Sequence, residues 1–294
     1  MPSPHFLKDV PLSPYSTMAI GGKADLLAII ETIEEMAKAI RWCHRQAIPF
    51  LAIGRGSNCL FDDQGYRGAV LINRIGYLHS QQSHWKVGAG FSFARLGQIT
   101  AREGWSGLEF AAGIPGSVGG AIAMNGGAQG RETCDALETV LSINSYGELE
   151  EWRREELLFG YRSSPFQNSQ WGTIVGATFL LEPSIDALQR QREMMATRYA
   201  SQPYEKPSAG CVFRNPTQQS AGALLDRLGC KGMRCGGAIV SPKHANFIIN
   251  EGGATCNDVL ELIERLQQKL LSENRQRLEL EIHYIPSDKG LGLR

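Results

Sequence analysis

The chain has 294 residues, 43% of them hydrophobic and 20% charged, the composition of an ordinary globular protein of two or three domains. Thirty Lys+Arg balance thirty Asp+Glu, which excludes a non-specific nucleic-acid binder but not a site that holds a small anion with a few local groups. Apolar runs such as residues 25–30 fall far short of the ~20 residues needed to cross a bilayer, so no membrane association is expected.

The first residues lack the apolar region of a signal peptide, and no leader is expected. Seven scattered cysteines without a Cys-x-x-Cys pair indicate neither a disulfide framework nor a metal site, and fit a reducing, cytoplasmic setting. Glycine is the unusual count: 33, gathered in short loops.

In chain order, residues 24–30 read as a buried strand. Thr32 and Glu35 form a capping box for a helix to about Ala47, and residues 50–53 give a second strand that runs into a glycine-rich loop. Short strands follow at 69–72 and 86–89, then a helix capped by Ser92 and closed by Gly104. Residues 139–146 and 148–152 read as a hairpin around Gly147, 173–181 as a strand and 185–200 as a helix. Pro203 to Pro207 marks a boundary. Beyond it lie a short helix at 220–228, a strand at 246–250 and a helix from Thr255 with Val259, Leu262, Ile263, Leu266 and Leu270 on one face. Residues 278–285 alternate strictly, so Leu278, Leu280, Ile282 and Tyr284 are expected on one side of a strand and Glu279, Glu281 and His283 on the other. The expected units are 1–72, 73–203 and 204–294, with the last residues returning to the first unit.

Several constellations carry chemistry. Gly54, Arg55, Gly56, Ser57 and Asn58 follow a strand; small residues there let backbone amides approach a pyrophosphate, although a plain tight turn has the same composition. Cys59 stands where a Rossmann fingerprint needs its third glycine. Gly113, Gly116, Gly119 and Gly120 surround Pro115 in a stiff loop suited to a flat ring or a diphosphate. Two such loops of non-Rossmann type favour a large bipartite cofactor. Arg162, between Tyr161 and hydroxyl residues, suits a bidentate grip on a carboxylate, or caps a core. Cys211 follows a glycine between the expected domains, where a buried inert thiol is the usual reading. Glu281 lies on a solvated strand face or in a carboxylate–arginine pair. Lys243, His244 and Asn246 suit phosphate or amide groups, with His244 favoured as structural.

These loops occur in one order with Ser16–Gly22, Ile53–Leu60, Gly107–Gly120, Tyr161–Phe166, Gly210–Pro216 and His244–Phe247. Together they resemble the UDP-N-acetylenolpyruvoylglucosamine reductase family from about Ser16 to Ile285. The run from Tyr161 to Pro207 shows no added gating segment and resembles the family's shorter, type II form. The resemblance implies an α+β fold: an FAD-binding domain of the PCMH/vanillyl-alcohol-oxidase type, made of two α+β subdomains, and a C-terminal α+β substrate domain. It implies non-covalent FAD held by Gly54–Asn58 and by Gly113, Ile114, Gly116, Ser117, Gly119, Gly120 and Asn125. NADPH would reduce the flavin and leave. The UDP-sugar enolpyruvate would then take hydride at C3 and a proton at C2.

Carried over position by position, Arg162 and Glu281 match the catalytic arginine and glutamate, and Cys211 stands where most members carry the proton-donating serine. Tyr161 and Asn215 match substrate contacts, and Lys243, Arg214, Lys231 and Arg234 are candidates for the UDP diphosphate. A thiol near its ordinary pKa of ~8.5 keeps its proton at neutral pH, yet alkylation sensitivity and loss of activity at high pH are expected. Arg162 would lower that pKa, whereas burial and Glu281 would raise it. Gly126 and Gln129 replace the common Ala and Tyr of the flavin loop. A monomer is expected. The competing readings are an oxidoreductase of the same fold with another substrate, and a catalytically idle flavin binder; Arg162, Cys211 and Glu281 together count against the second.

Overall fold

The computed structural model describes residues 5–217, 219–274 and 277–288. Its first sheet contains β1 (Leu7–Pro11), β2 (Lys23–Ile30), β3 (Phe50–Ile53) and β5 (Tyr66–Asn73), in the order β1-β2-β5-β3. Strands β2, β5 and β3 run parallel; β1 is an antiparallel edge. The helix α1 (Ile33–Arg45) connects β2 to β3. Thr32 Oγ1 accepts the Glu35 amide and Glu35 Oε2 accepts the Thr32 amide, the expected capping box. From that start, Met36, Ala39, Ile40 and Cys43 recur at helical spacing and are fully buried. β5 is buried on both faces because both carry a core. Leu71 packs toward α1, and Val70 and Ile72 toward Phe61 and Ile53.

The second sheet is antiparallel. It comprises β6 (Leu78–Gln81), β7 (His84–Gly88), β8 (Leu137–Ile143), β9 (Leu149–Arg153) and β10 (Thr173–Leu180), in the order β9-β8-β10-β7-β6. α2 (Phe93–Arg102), capped by Ser92, and α3 (Val118–Ala123), capped by Ser117, share the core of Trp85, Phe93, Phe110 and Phe179. α4 (Ala187–Ser201) follows β10 and buries only Ala187 and Gln191.

The third sheet, β11 (Ser208–Cys211), β12 (Arg234–Cys235), β13 (Ala238–Val240) and β14 (Phe247–Asn250), is antiparallel in the order β11-β14-β13-β12. α5 (Ala221–Arg227) and α6 (Cys256–Asn274) share its core. Val259, Leu262, Ile263, Leu266 and Leu270 of α6 are buried, each contributing roughly 2 kcal/mol. Asp63, just after β4 (Cys59–Phe61), accepts the Cys256 and Asn257 amides and so ties α6 to the first unit.

The expected strand over 278–285 is corrected. Only β15 (His283–Ile285) is a strand, parallel to β4, and Leu280 makes an isolated bridge to Phe213. The chain bridges first to Phe213 and then pairs with β4, so its faces rotate. Leu278 and Ile282 are buried as expected, whereas Leu280 and Tyr284 are exposed and Ile285 is buried. β15 brings the chain back beside the first unit; residues 289–294 lie outside the described residues.

Candidate active site

Arg162 sits at the tip of a tight turn. Gly160 and Ser163 exchange reciprocal backbone hydrogen bonds of 3.0 Å, and Arg162 takes φ +54°, in the left-handed region. Its Nε donates to Glu281 Oε1 at 2.7 Å and its Nη2 to the Gly127 carbonyl at 3.1 Å. The guanidinium lies 4.9 Å from the centroid of the Tyr161 ring. Each side chain of the Arg162–Glu281 pair is 17% exposed. Burial works against the arginine's charge, but the adjacent Glu281 carboxylate outweighs it and holds the guanidinium pKa above its ordinary value.

The crossing of the chain places Glu281. Its amide donates to the Val212 carbonyl at 2.8 Å, and the Arg214 amide donates to the Glu279 carbonyl at 2.9 Å. On the other side Asn58 Nδ2 donates to the Glu281 carbonyl at 2.9 Å, and the His283 amide to the Asn58 carbonyl at 2.9 Å. Glu281 therefore stands between the Cys211–Asn215 segment and the Gly54–Asn58 loop.

Cys211 ends β11 and is half-buried. Burial first, and then the Glu281 carboxylate, push its thiol up to about 12; Arg198 and Arg162 pull the other way. Of the opposing effects expected from the sequence, burial and Glu281 outweigh Arg162. The group is held firmly in its protonated form, and the alkylation-sensitive thiolate is scarce.

Other side chains expected at the site already have polar partners within the protein. Asn246 is buried, accepting from the Phe213 amide at 2.9 Å and donating to its carbonyl at 2.8 Å; it braces the Cys211–Asn215 segment. Asn125, fully buried at φ +43°, donates to Glu132 and the Gly160 carbonyl and accepts from the Cys134 amide, so its side chain locks the turn beneath Arg162. Lys243 Nζ donates to the Tyr199 carbonyl, and Lys243 lines a small cavity of about 170 Å³ with Lys231 and His244. Lys231 pairs with Asp226, and Arg234 with Glu251. Arg214 pairs with Glu279 and reaches the Arg162 carbonyl, while its buried Nε has no partner among the described residues. The Asn215 amide donates to Tyr161 Oη at 3.3 Å, and its Oδ1 accepts from Ala221.

The two glycine loops abut. A Cβ on Gly116 would lie 2.9 Å from Ser57 Oγ, and one on Gly54 would overlap Ser117 Oγ at 1.9 Å. Among the described residues, the amides of Arg55, Gly56, Ser57, Asn58, Gly116 and Ser117 donate to no protein acceptor. Unpaired backbone donors at this density offer an acceptor-rich ligand a cradle, and a dinucleotide diphosphate such as that of FAD fits them. Ser117 Oγ itself caps α3, and Gly119 packs against Ala89, so those side-chain positions shape the loop. Ile114 is half-buried at the loop's entry, and Gly120 is exposed in α3. Gly113 is covered: Tyr204 Oη donates to its carbonyl at 2.6 Å, and a Cβ there would meet Arg198.

Arg198 and Tyr204 were not among the sequence candidates. Arg198 donates to Tyr204 Oη at 2.9 Å, and its charge also acts on Cys211. The signal for Arg198 was indirect: the 185–200 helix buries only Ala187 and Gln191, so core packing does not account for most of its residues.

A model of the C-terminal domain of UDP-N-acetylenolpyruvoylglucosamine reductase matches residues 202–285, and an FAD-binding domain model matches residues 24–152. The UDP-N-acetylenolpyruvoylglucosamine reductase of Protochlamydia amoebophila is 49% identical over 282 residues, covering 96% of this chain and 94% of that protein. The enzyme of that name from Chlamydia muridarum is 47% identical over 287 residues, covering 97% and 96%. The crystal structure of the Thermus caldophilus enzyme superposes with a TM-score of 0.83 at 38% identity, covering 96% of this chain and 99% of that one. Fold, cofactor domain and sequence agree: the chain belongs to the UDP-N-acetylenolpyruvoylglucosamine reductase family.

Proposed function

We propose that the chain is an FAD-dependent reductase that converts UDP-N-acetylglucosamine enolpyruvate to UDP-N-acetylmuramate for peptidoglycan precursor synthesis, with NADPH as reductant. The observation that carries the site assignment is the 2.7 Å Arg162–Glu281 pair, set beside Cys211 and bonded through Asn58 to the amide-rich loop.

The Gly54–Asn58 and Gly113–Gly120 loops would hold FAD through the unpaired amides, Ser57 and the close approach that Gly54 permits. Bound FAD supplies hydride transfer, from NADPH and then to C3 of the enolpyruvyl group. Hydride addition at C3 leaves an electron pair at C2, delocalised into the substrate carboxylate. Arg162, fixed through Nε and Nη2, presents its remaining Nη1 edge to that carboxylate, so the charge meets a donor already in place. Glu281 orients the guanidinium. Cys211 gives its proton to C2, and the S–H bond breaks as the C–H bond forms. A thiol held near 12 recovers its proton from water before the next cycle. Tyr161, Arg214 and Asn215 surround the Arg162 turn and would contact the UDP-sugar, with Arg198 a further cation on that side.

The three-unit division, the type II form, a monomeric state and a cytoplasmic location belong to the same proposal. The return of β15 to β4 supports the division, and among the described residues no helix is long and apolar enough to cross a membrane. The test is product analysis by mass spectrometry of purified protein given NADPH and UDP-N-acetylglucosamine enolpyruvate. UDP-N-acetylmuramate formed in step with NADPH consumption is expected. NADPH oxidation that ignores the UDP-sugar would favour another substrate.

A further inference from the structure

The Arg162 backbone is left-handed at φ +54°, a conformation that a residue with a Cβ holds only when its surroundings impose it. The surroundings are specific. Asn125 Nδ2 holds the Gly160 carbonyl at the start of the turn. At the turn's far side Gln167 Nε2 donates to the Arg162 carbonyl itself at 3.0 Å. Arg214 Nη2 reaches the same oxygen at a longer 3.4 Å. Gln167 is itself anchored. It ends the short helical turn Pro165–Gln167, whose Phe166 is buried, and the preceding Ser164 donates through Oγ to the Ala123 carbonyl at 2.7 Å. The direction of the Arg162 carbonyl fixes the peptide plane that follows it, and with it the direction in which the arginine leaves the backbone.

We propose that Gln167 is a positioning residue for Arg162: by donating to the Arg162 carbonyl it locks the left-handed turn, so the guanidinium already faces Glu281 when the substrate carboxylate arrives. The inference rests on Arg162 being the group that engages that carboxylate. Gln167 touches no reacting atom; its Nε2 also meets Met124 Sδ at 3.6 Å, and its backbone amide donates to the Ser164 carbonyl at 3.3 Å. Without its bond the turn keeps only the weaker Arg214 contact on that oxygen, and the guanidinium samples orientations away from Glu281.

The test is a double-mutant cycle with a pH readout. Gln167→Met keeps the length of the side chain and removes the donor. We expect kcat/KM for UDP-N-acetylglucosamine enolpyruvate to fall about tenfold, with bound FAD and flavin reduction by NADPH unchanged. In an Arg162→Ala background the same substitution is expected to change the residual rate less than twofold, because the group it positions is gone. Gln167→Glu adds a signature that loss of general stability does not produce. Its protonated carboxyl still donates to the carbonyl and its ionised form does not, so substrate reduction falls about tenfold as pH rises through the new carboxyl's pKa, a limb the parent lacks. An equal loss from Gln167→Met in both backgrounds, or none in the parent, overturns the inference while leaving Arg162 in place. If Arg162→Ala itself turns over like the parent, the reading of the site fails and the inference falls with it.

Discussion

Replacing Cys211 tests the chemistry and the electrostatics together. A thiol of ordinary pKa ~8.5 is about one-quarter ionised at pH 8, whereas one held near 12 is ionised in only about one molecule in 10⁴. Alkylation, which needs the thiolate, should therefore be slower than for free cysteine by about 10³-fold. The same shift moves any high-pH limb due to this thiol beyond the working range. Cys211→Ala removes the proton donor and should slow substrate reduction by about 10²–10⁴-fold, or roughly 3–5 kcal/mol of barrier. Cys211→Ser restores a protonated donor and should stay within about tenfold of the parent, a small part of the general-acid effect. The assay is stopped-flow recolouring of pre-reduced enzyme on addition of UDP-N-acetylglucosamine enolpyruvate, between about pH 6 and about pH 10, which spans the ordinary thiol pKa. Cys211→Ala recolouring at the parent's rate would remove Cys211 from the mechanism. A limb near the ordinary thiol pKa in the parent, absent from Cys211→Ser, would refute the electrostatic reasoning.

Arg162→Lys keeps a charge but loses the planar contact to Glu281 and Gly127; substrate reduction should fall by about 10²–10³-fold, while reduction of the flavin by NADPH, measured separately, changes far less. Glu281→Gln should show the same split with a smaller loss. Gly56→Ala forces a Cβ to 2.2 Å from the Tyr15 carbonyl at φ +60°, so the purified protein should carry less FAD per chain and melt earlier; full occupancy would count against the loop as the diphosphate cradle. Glu109 is buried, yet its carboxyl pKa is lowered: burial opposes ionisation, but the Gly107 amide, Arg190 and Ser106 overcome it. Its contribution is therefore present above the unfolded carboxyl pKa and is lost as pH falls through the folded value. Glu109→Gln should cost about 1–3 kcal/mol in denaturant melts near neutral pH, the partial exposure of Arg190 keeping it below a fully buried pair, and the difference should shrink in acid.

The elements that local chemistry specifies were legible in the sequence. The Thr32–Glu35 box, the Ser92 cap and the Gly147 turn at φ +79° are each decided by a few neighbouring residues. The family resemblance named Arg162, Cys211 and Glu281 together, and the fold brings the three side by side. What escaped was set by distant partners. Alternation over 278–285 assumed one sheet, but the chain changes partners from Phe213 to Cys59 within that run. That the side-chain amides of Asn246, Asn125 and Asn58 bond backbone from another part of the chain is visible in no local spacing. Gln167 and Arg198 act on Arg162 and Cys211 through contacts that no spacing reveals.

The most direct test of the central claim is an anaerobic titration of the purified flavoprotein, NADPH first and UDP-N-acetylglucosamine enolpyruvate second, followed by flavin absorbance. The account predicts bleaching by one equivalent of NADPH and prompt recolouring by one equivalent of the UDP-sugar. Bleaching without recolouring would leave a flavin oxidoreductase and contradict its assignment to this substrate.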